Sequence, residues 1–595
     1  MKQKTKGILA FAFLGGILLT STVLFAIAPP AATMTMEEKQ VLDKFDFMMN
    51  ACIEHTSDLE NNEQALVACR ELATQERNSS LCDVGQKSGD QMLIDDYCTE
   101  LTLTKTGTPM DNFPDNQREA YCGINDPKST SFVKEYQIPT LCTQPIAIKV
   151  APDGNVWFIE ANVGNIAKFD PVSETFTEFE NDIWPEGGTT MSWGMDYSSD
   201  GAMWYTDGAY NTIWRFDTIN EKYDPIPFPI SEKTFPQKLF IHGSDMIVND
   251  FTGNKITFYE LSQNTDEMTF SSIVTPIPNA FTGDFAVDSK NNLWFTNWFP
   301  EANGFLLNFN IEKYKQNQFL QSTGMEIDVE SYFEVYDFPS DLKVANGLSI
   351  DENDNVWIVD TASSFFFKFD PNTKEFTKFV TSTPQKSVYG NASGLIKSPT
   401  SKPYWTQTDM NGHLFFNEHF SNQIAVFDIE NSYLVEYMIP SKNPNWTDCT
   451  EIDNNVTPDC GVAMNLGFDV ADNQIWFTEW VENKIGVIDT RIPPPFVIDI
   501  DKNSITLKKG ETQKIILTID STSNGEQINF NFAHTASSMT KSSDLLITHD
   551  FVNSDEIAVY VTANEIALSG EYKLLLGVYN SEINVSKYVD VIIEP

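Results

Sequence analysis

The chain has 595 residues and carries 39 Lys and Arg against 84 Asp and Glu, a formal net charge of −45. That balance excludes nucleic acid as a partner, because phosphate binding needs clustered Lys and Arg, and it favours a solvated surface that attracts cations. The length admits several domains, or one large repeat array with satellites.

Residues 1–28 open on Met1-Lys-Gln-Lys-Thr-Lys6 and run without a charge from Gly7 to Ala28. Such a run spans a bilayer, which takes roughly 20 residues, and its basic flank stays in the cytoplasm. Two readings stand: an uncleaved signal-anchor, or a signal peptide cut after Ala26-Ile-Ala28, with Pro29 unfavourable to the cut. Both put the remainder outside the cytoplasm, either anchored to the cell membrane by an N-terminal helix or secreted. The eight cysteines agree with an oxidising compartment, and nearest-neighbour pairing joins 52–69, 82–98, 122–142 and 449–460. Sequons at Asn78, Asn391, Asn445, Asn455 and Asn584 suit a glycoprotein.

Residues 37–105 read as a small helical module stapled by disulfides. Val41, Leu42, Phe45, Met48, Met49 and Cys52 recur at three- and four-residue steps, the period of a buried helix face. Residues 106–130, rich in Pro, Asn, Asp and Gly, read as a linker.

A repeat array fills 131–490. Its clearest copy is Asp153-Gly-Asn-Val-Trp-Phe-Ile-Glu160, and the anchors equivalent to Trp157 are Trp204, Ile247, Trp294, Trp357, Phe415 and Trp476. A polar turn precedes each, as in Asp200-Gly201, Ser244-Asp245 and Asn411-Gly412, and suits the bend between antiparallel strands. Three residues past the anchors stand Glu160, Asp207, Asp250, Asn297, Asp360, Glu418 and Glu479. Third strands follow, such as Ile166-Ala-Lys-Phe-Asp170 and Ile424-Ala-Val-Phe-Asp428. Four strands per unit predict a mainly β fold, a seven-bladed β-propeller. The seventh unit lacks a fourth strand, and Phe132-Val-Lys-Glu-Tyr-Gln-Ile-Pro139 matches Tyr433-Leu-Val-Glu-Tyr-Met-Ile-Pro440. Residues 132–138 are therefore predicted to complete it and close the ring. Beyond the stiff spacer Pro493–Pro495, residues 496–595 alternate as a C-terminal immunoglobulin-like β-sandwich, expected to act as a spacer or adhesion domain, with His534 and His549 at its surface.

Strand direction places the ends of the second strands on one face, the top. Glu160, Asp207, Asp250, Asp360, Glu418 and Glu479 gather there. Pointed inward they would hold a hard cation, Mg²⁺ or Ca²⁺; otherwise each accepts backbone hydrogen bonds in its own loop. Phe251, Trp298 and Trp480 beside them either bind an apolar ligand at the channel mouth or pack loops. His419 next to Glu418 suggests an acid–base pair, although adjacent strand residues diverge.

The pattern Asp-Gly-x-x-Trp-Phe-x-Glu followed by Asn-x-Ile-x-x-Phe-Asp, best in 153–170, 411–428 and 471–489, resembles the virginiamycin B lyase (streptogramin lyase) family of seven-bladed propellers. The resemblance implies a Mg²⁺-dependent carbon–oxygen lyase that opens a cyclic depsipeptide by elimination. Its glutamate at the end of strand two is matched here by Glu418 and Glu479. The family's histidine belongs 11 residues before an anchor, where this chain has Ile146, Trp193, Pro236, Gly283, Asn346, Tyr404 and Asn465. Two functions remain: a non-catalytic propeller binding a ligand or surface partner on its top face, or a lyase or lactonase-like hydrolase using Glu418, His419 and Glu479.

Overall fold

The computed structural model describes residues 109–595 except 116, 185–189, 230–233, 263–264, 266–267, 300–302, 323–328, 391–399, 448, 450–459, 522–527 and 537–543, with a few isolated positions before 109. The leader 1–28, the helical module 37–105 apart from those positions, and the 52–69 and 82–98 pairings lie outside the described residues. Among the described residues no helix is long and apolar enough to cross a membrane.

Local chemistry sets the turns. Gly154, Gly201 and Gly412 take φ of 86°, 87° and 80° between the first and second strands; where glycine is absent, Asn291, Asp354 and Asn473 adopt 62°, 62° and 61°. Asn and Asp tolerate that left-handed region better than other side chains. In the third copy the turn falls at Gly243 (φ 64°) rather than at Ser244-Asp245, and Asp245 already opens the strand Asp245–Asp250. Where a third strand ends in Phe-Asp, the aspartate starts the next turn: Asp170 accepts the Val172 N–H at 2.8 Å, Asp217 that of Ile219 at 2.9 Å and Asp370 that of Asn372 at 2.8 Å.

Strands Pro145–Val150, Val156–Glu160, Asn165–Asp170 and Thr175–Phe179 pair in chain order as one antiparallel sheet. The same order recurs over 195–227, 236–274, 281–337, 345–380 and 403–438. The last unit uses Phe468–Ala471, Gln474–Glu479 and Lys484–Asp489, and takes Val133–Gln137 as its outer strand. The register there runs from Val133↔Ile488 to Gln137↔Lys484. Numbered by their first strands, units one to seven form a β-propeller. Innermost strands touch between units one and two, two and three, four and five, five and six, six and seven, and seven and one; between units three and four the second strand of three meets the innermost strand of four.

Two contacts join neighbouring units. The anchor indole packs on the phenylalanine of the next unit's third strand: Trp157 on Phe216 at 5.9 Å, Trp294 on Phe369 at 5.8 Å, Trp357 on Phe427 at 5.7 Å and Trp476 on Phe169 at 5.7 Å. Two residues past the anchor, a polar side chain donates to an innermost carbonyl of the next unit. Thr206 reaches Gln237 O at 2.7 Å, Asn249 Thr282 O at 2.7 Å, Thr296 Ala345 O at 2.7 Å and Thr478 Ile146 O at 2.8 Å. Gly467 permits the last approach, since a Cβ there would stand 2.0 Å from Ile146 O.

The C-terminal strands form two sheets, but they are not held at a distance by Pro493–Pro495. Ile583–Ile593 pairs antiparallel with Tyr433–Met438, from Tyr433↔Lys587 to Tyr437↔Ile583, and extends unit six into an eight-stranded sheet. Tyr588 enters unit five, donating to Val380 O at 2.6 Å. This junction buries Asn584, 1 % exposed and opposite Glu436, so that sequon is shielded from glycosylation. His534 is buried rather than superficial, 8 % exposed.

Trp476 is 3 % exposed and joins the two chain ends' units. Trp476→Ala is expected to cost about 3–5 kcal/mol, read as a lower midpoint in guanidinium unfolding of the full chain.

Candidate functional site

The six carboxylates predicted at the strand-two ends are all fully buried, and they divide by length. The aspartates stay in their own turns. Asp207 accepts from the Trp184 indole at 2.8 Å, from the Trp214 indole at 3.2 Å, from Thr190 and from the Ala209 and Tyr210 N–H groups. Asp250 accepts the Phe235 and Gly253 N–H groups at 2.8 and 2.9 Å and pairs with Lys255 at 3.4 Å. Asp360 accepts the Val344 N–H at 2.8 Å and the Ser363 hydroxyl at 2.7 Å, while burial pushes its carboxyl up to about 6.

The glutamates reach further. Neither oxygen of Glu160, Glu418 or Glu479 has a hydrogen-bond donor among the described residues. Each faces a glutamate on the outer strand of its own unit: Glu178, Glu436 and Glu135 respectively. Register explains the reach. Between each pair lies a small third-strand residue, Ala167, Ala425 or Gly486, directly opposite Glu178, Glu436 and Glu135. Where strand two ends in Asp or Asn, the equivalent residue is Trp214, Thr257, Leu307 or Phe367.

The outer-strand partners tie units together. Glu178 accepts the Thr140 N–H and hydroxyl at 3.2 and 3.0 Å, Glu436 the Ser382 N–H at 3.0 Å, and Glu135 the Ser441 N–H and hydroxyl at 2.8 and 2.7 Å. Each donor follows the outer strand of the preceding unit. In unit seven, Lys484 lies 3.3 Å from Glu482, 3.9 Å from Glu135 and 4.0 Å from Glu479, with every side chain fully buried. Two adjacent buried carboxyls cannot both ionise cheaply. Burial, then the Glu436 charge, raises Glu418 well above the ordinary range.

The structure therefore does not bring Glu160, Asp207, Asp250, Asp360, Glu418 and Glu479 together. Among the described residues, no group of three or more His, Cys, Asp or Glu stands close enough to hold a metal ion. The donor set does not fit Mg²⁺ or Ca²⁺. Glu418 and His419 also diverge. His419 is 2 % exposed, with its ring 5.1 Å from Tyr404 and 4.7 Å from Phe420. Burial, then the Lys402 charge, pushes it down to about 3, so it stays neutral rather than pairing with a carboxylate.

The proposed ligand aromatics are spent on packing. Trp298, 1 % exposed, lies 5.9 Å from Phe251 and 5.3 Å from Phe281. Trp480 packs on Trp446 at 5.1 Å and on Tyr121 at 6.2 Å. Tyr121 belongs to the expected linker, which instead folds onto this face. Arg118–Tyr121 is a short helix; Asn125 donates to Glu482 at 3.0 Å, and Cys122–Cys142 ties the segment down. Cys449–Cys460 secures the neighbouring long loop. At the positions counted 11 residues before the anchors, Trp193 and Tyr404 pack at 5.4 Å, and Trp405 lies 5.8 Å from Trp193. All three belong to one apolar cluster with Tyr121 and Trp480.

No protein-family model matches the chain, and no curated protein sequence matches it. Among solved structures, the chain is similar in fold to virginiamycin B lyase. The Staphylococcus aureus enzyme overlays with a TM-score of 0.44 at 18 % identity, covering 60 % of this chain and 98 % of that one. Streptogramin B lyase gives 0.44 at 19 %, covering 60 % and 99 %. U3-55K gives 0.42 at 9 %, covering 61 % and 100 %. Differently named proteins overlay almost equally well, so the likeness is one of fold and assigns no residue a role.

Burial pushes Glu436 from the ordinary 4.5 up to about 7. The folded state then holds a proton that the unfolded state releases, so this contribution to stability is present below about pH 4.5 and lost as pH rises through about 7. The melting temperature is expected to fall between pH 5 and pH 8, and to fall less in the Glu418→Gln, Glu436→Gln double variant; scanning calorimetry across that range measures both slopes.

Proposed function

We propose that the chain is an extracytoplasmic, seven-bladed propeller that works by binding rather than by catalysis. One observation carries this reading. The two glutamates offered as catalysts, Glu418 and Glu479, are fully buried and face Glu436 and Glu135 inside their own units, away from any surface that a substrate reaches. The position suited to a catalytic base in unit six holds Tyr404, 5 % exposed in the aromatic cluster.

The leader 1–28 and the disulfides Cys122–Cys142 and Cys449–Cys460 support an extracytoplasmic site, anchored or secreted. The Tyr572 hydroxyl donates to Leu568 O at 2.9 Å, which supports an immunoglobulin-like reading of 496–595. With the channel mouth filled, the partner at the top is a macromolecule, met by the described parts of the links that follow units five and six, 381–390 and 440–447.

A panel of cyclic depsipeptides and lactones tests this directly. No turnover above buffer is expected with added Mg²⁺, and titration of Mg²⁺ or Ca²⁺ into the protein is expected to give no saturable heat. Turnover that Glu418→Gln abolishes overturns the reading in favour of a lyase or lactonase-like hydrolase.

A further inference from the structure

The first strands of all seven units enclose a central cavity of about 420 Å³, within the range of roughly 300–1,000 Å³ typical of small-molecule sites. Trp193 and Trp405 line one end and belong to the cluster under Tyr121. Access is therefore from the opposite face, where the strand-one to strand-two turns lie.

Charge around the cavity is unevenly spent. On one side Lys149 bridges Asp196 at 3.5 Å and Asp469 at 3.4 Å. Those carboxylates also accept the Ile241 and Val150 N–H groups, both at 2.9 Å. That side is satisfied from within. On the other side the Lys238 ammonium rests 4.2 Å from the Trp405 ring centroid. Burial raises the Asp284 carboxyl above its ordinary value and the Lys238 charge partly opposes that, with no ion pair between the two among the described residues. Asp284 accepts only backbone N–H groups, from Phe285 at 2.9 Å and Leu348 at 3.3 Å. Two residues beyond Lys238, Phe240 also lines the cavity and is 41 % exposed. Separated charges of opposite sign thus flank an accessible ring.

We propose that this channel binds a small amino-acid-like zwitterion. Its carboxylate meets Lys238, its ammonium turns toward Asp284, and its apolar side chain lies on Phe240. The charge of −45 works against a net anion through the long-range field, whereas a zwitterion enters without that opposition. The aspartates on the far side, already paired with Lys149, leave little for a simple cation. Lys238, Asp284 and Phe240 lie outside the top-face cluster, so the proposal stands independently of the reading given for that face.

Calorimetry on the full chain tests the proposal with L-phenylalanine, 3-phenylpropanoate and phenethylamine, which share the ring and differ in charge. L-phenylalanine is expected to bind one per chain, about tenfold or more tighter than either singly charged analogue, as fits two charge-assisted contacts. Lys238→Met and Asp284→Asn should each weaken it about tenfold. Lys238→Arg should retain it, and Phe240→Ala, a variant at an exposed side chain, should weaken it without unfolding. Absence of heat with L-phenylalanine at millimolar concentration, equal binding of the three probes, or binding indifferent to both Lys238→Met and Phe240→Ala overturns it.

Discussion

The packing of one unit's anchor indole on the next unit's third-strand phenylalanine is the contact on which the ring depends. A four-stranded sheet of this size leaves both faces apolar and cannot stand alone in water. At four of the seven junctions a neighbour supplies the complementary ring, and such a pair adds about 0.5–1.5 kcal/mol beyond the area it buries. The decisive case is Trp476 on Phe169 at 5.7 Å, because unit seven is built from both ends of the array. Ordering nearly 360 residues between those ends costs loop-closure entropy that grows only slowly with length. Val133–Gln137 pairing with Lys484–Asp489 and Thr478 bonded to Ile146 O offset it.

An outer set of bonds reinforces the same seam. Ser382, Ser441 and Thr140 hand N–H groups to Glu436, Glu135 and Glu178, so units five, six, seven and one are stapled in succession. These are the units nearest the closure and nearest the docked C-terminal strand Ile583–Ile593. Each staple holds one carboxylate and leaves its strand-two partner, Glu418, Glu479 or Glu160, without a donor. The glutamates that suggest a reaction centre are in this light the second members of a structural pair. Their burial raises their proton affinity as catalytic burial would, but none of them lines the axial cavity. The accessible cavity lies along the axis, among first-strand residues.

Much of this was legible in the repeat. The recurrence of Trp157 and its equivalents located the second strands, and the match of 132–139 to 433–440 located the displaced outer strand that pairs with Lys484–Asp489. The same match contained Glu135 against Glu436, the outer members of two carboxyl pairs. A further signal was available and passed over: strand-two glutamate coincides with Ala167, Ala425 or Gly486, and strand-two aspartate does not. The cavity residues Lys149, Lys238 and Asp284 carried no comparable signal, since the first strands vary too much to align.

Sequence alone determined the period, the turns and the strand that each residue occupies, because these follow from alternation and from Gly, Asn and Asp at fixed offsets, all local properties of a few neighbouring residues. Tertiary structure decided where the carboxylates point, that residues 109–125 cover the top face, and that Ile583–Ile593 lengthens unit six. Each of those outcomes depends on which surface arrives opposite a given strand, and a burial or a strand pairing between segments 150 residues apart leaves no periodic mark in either one.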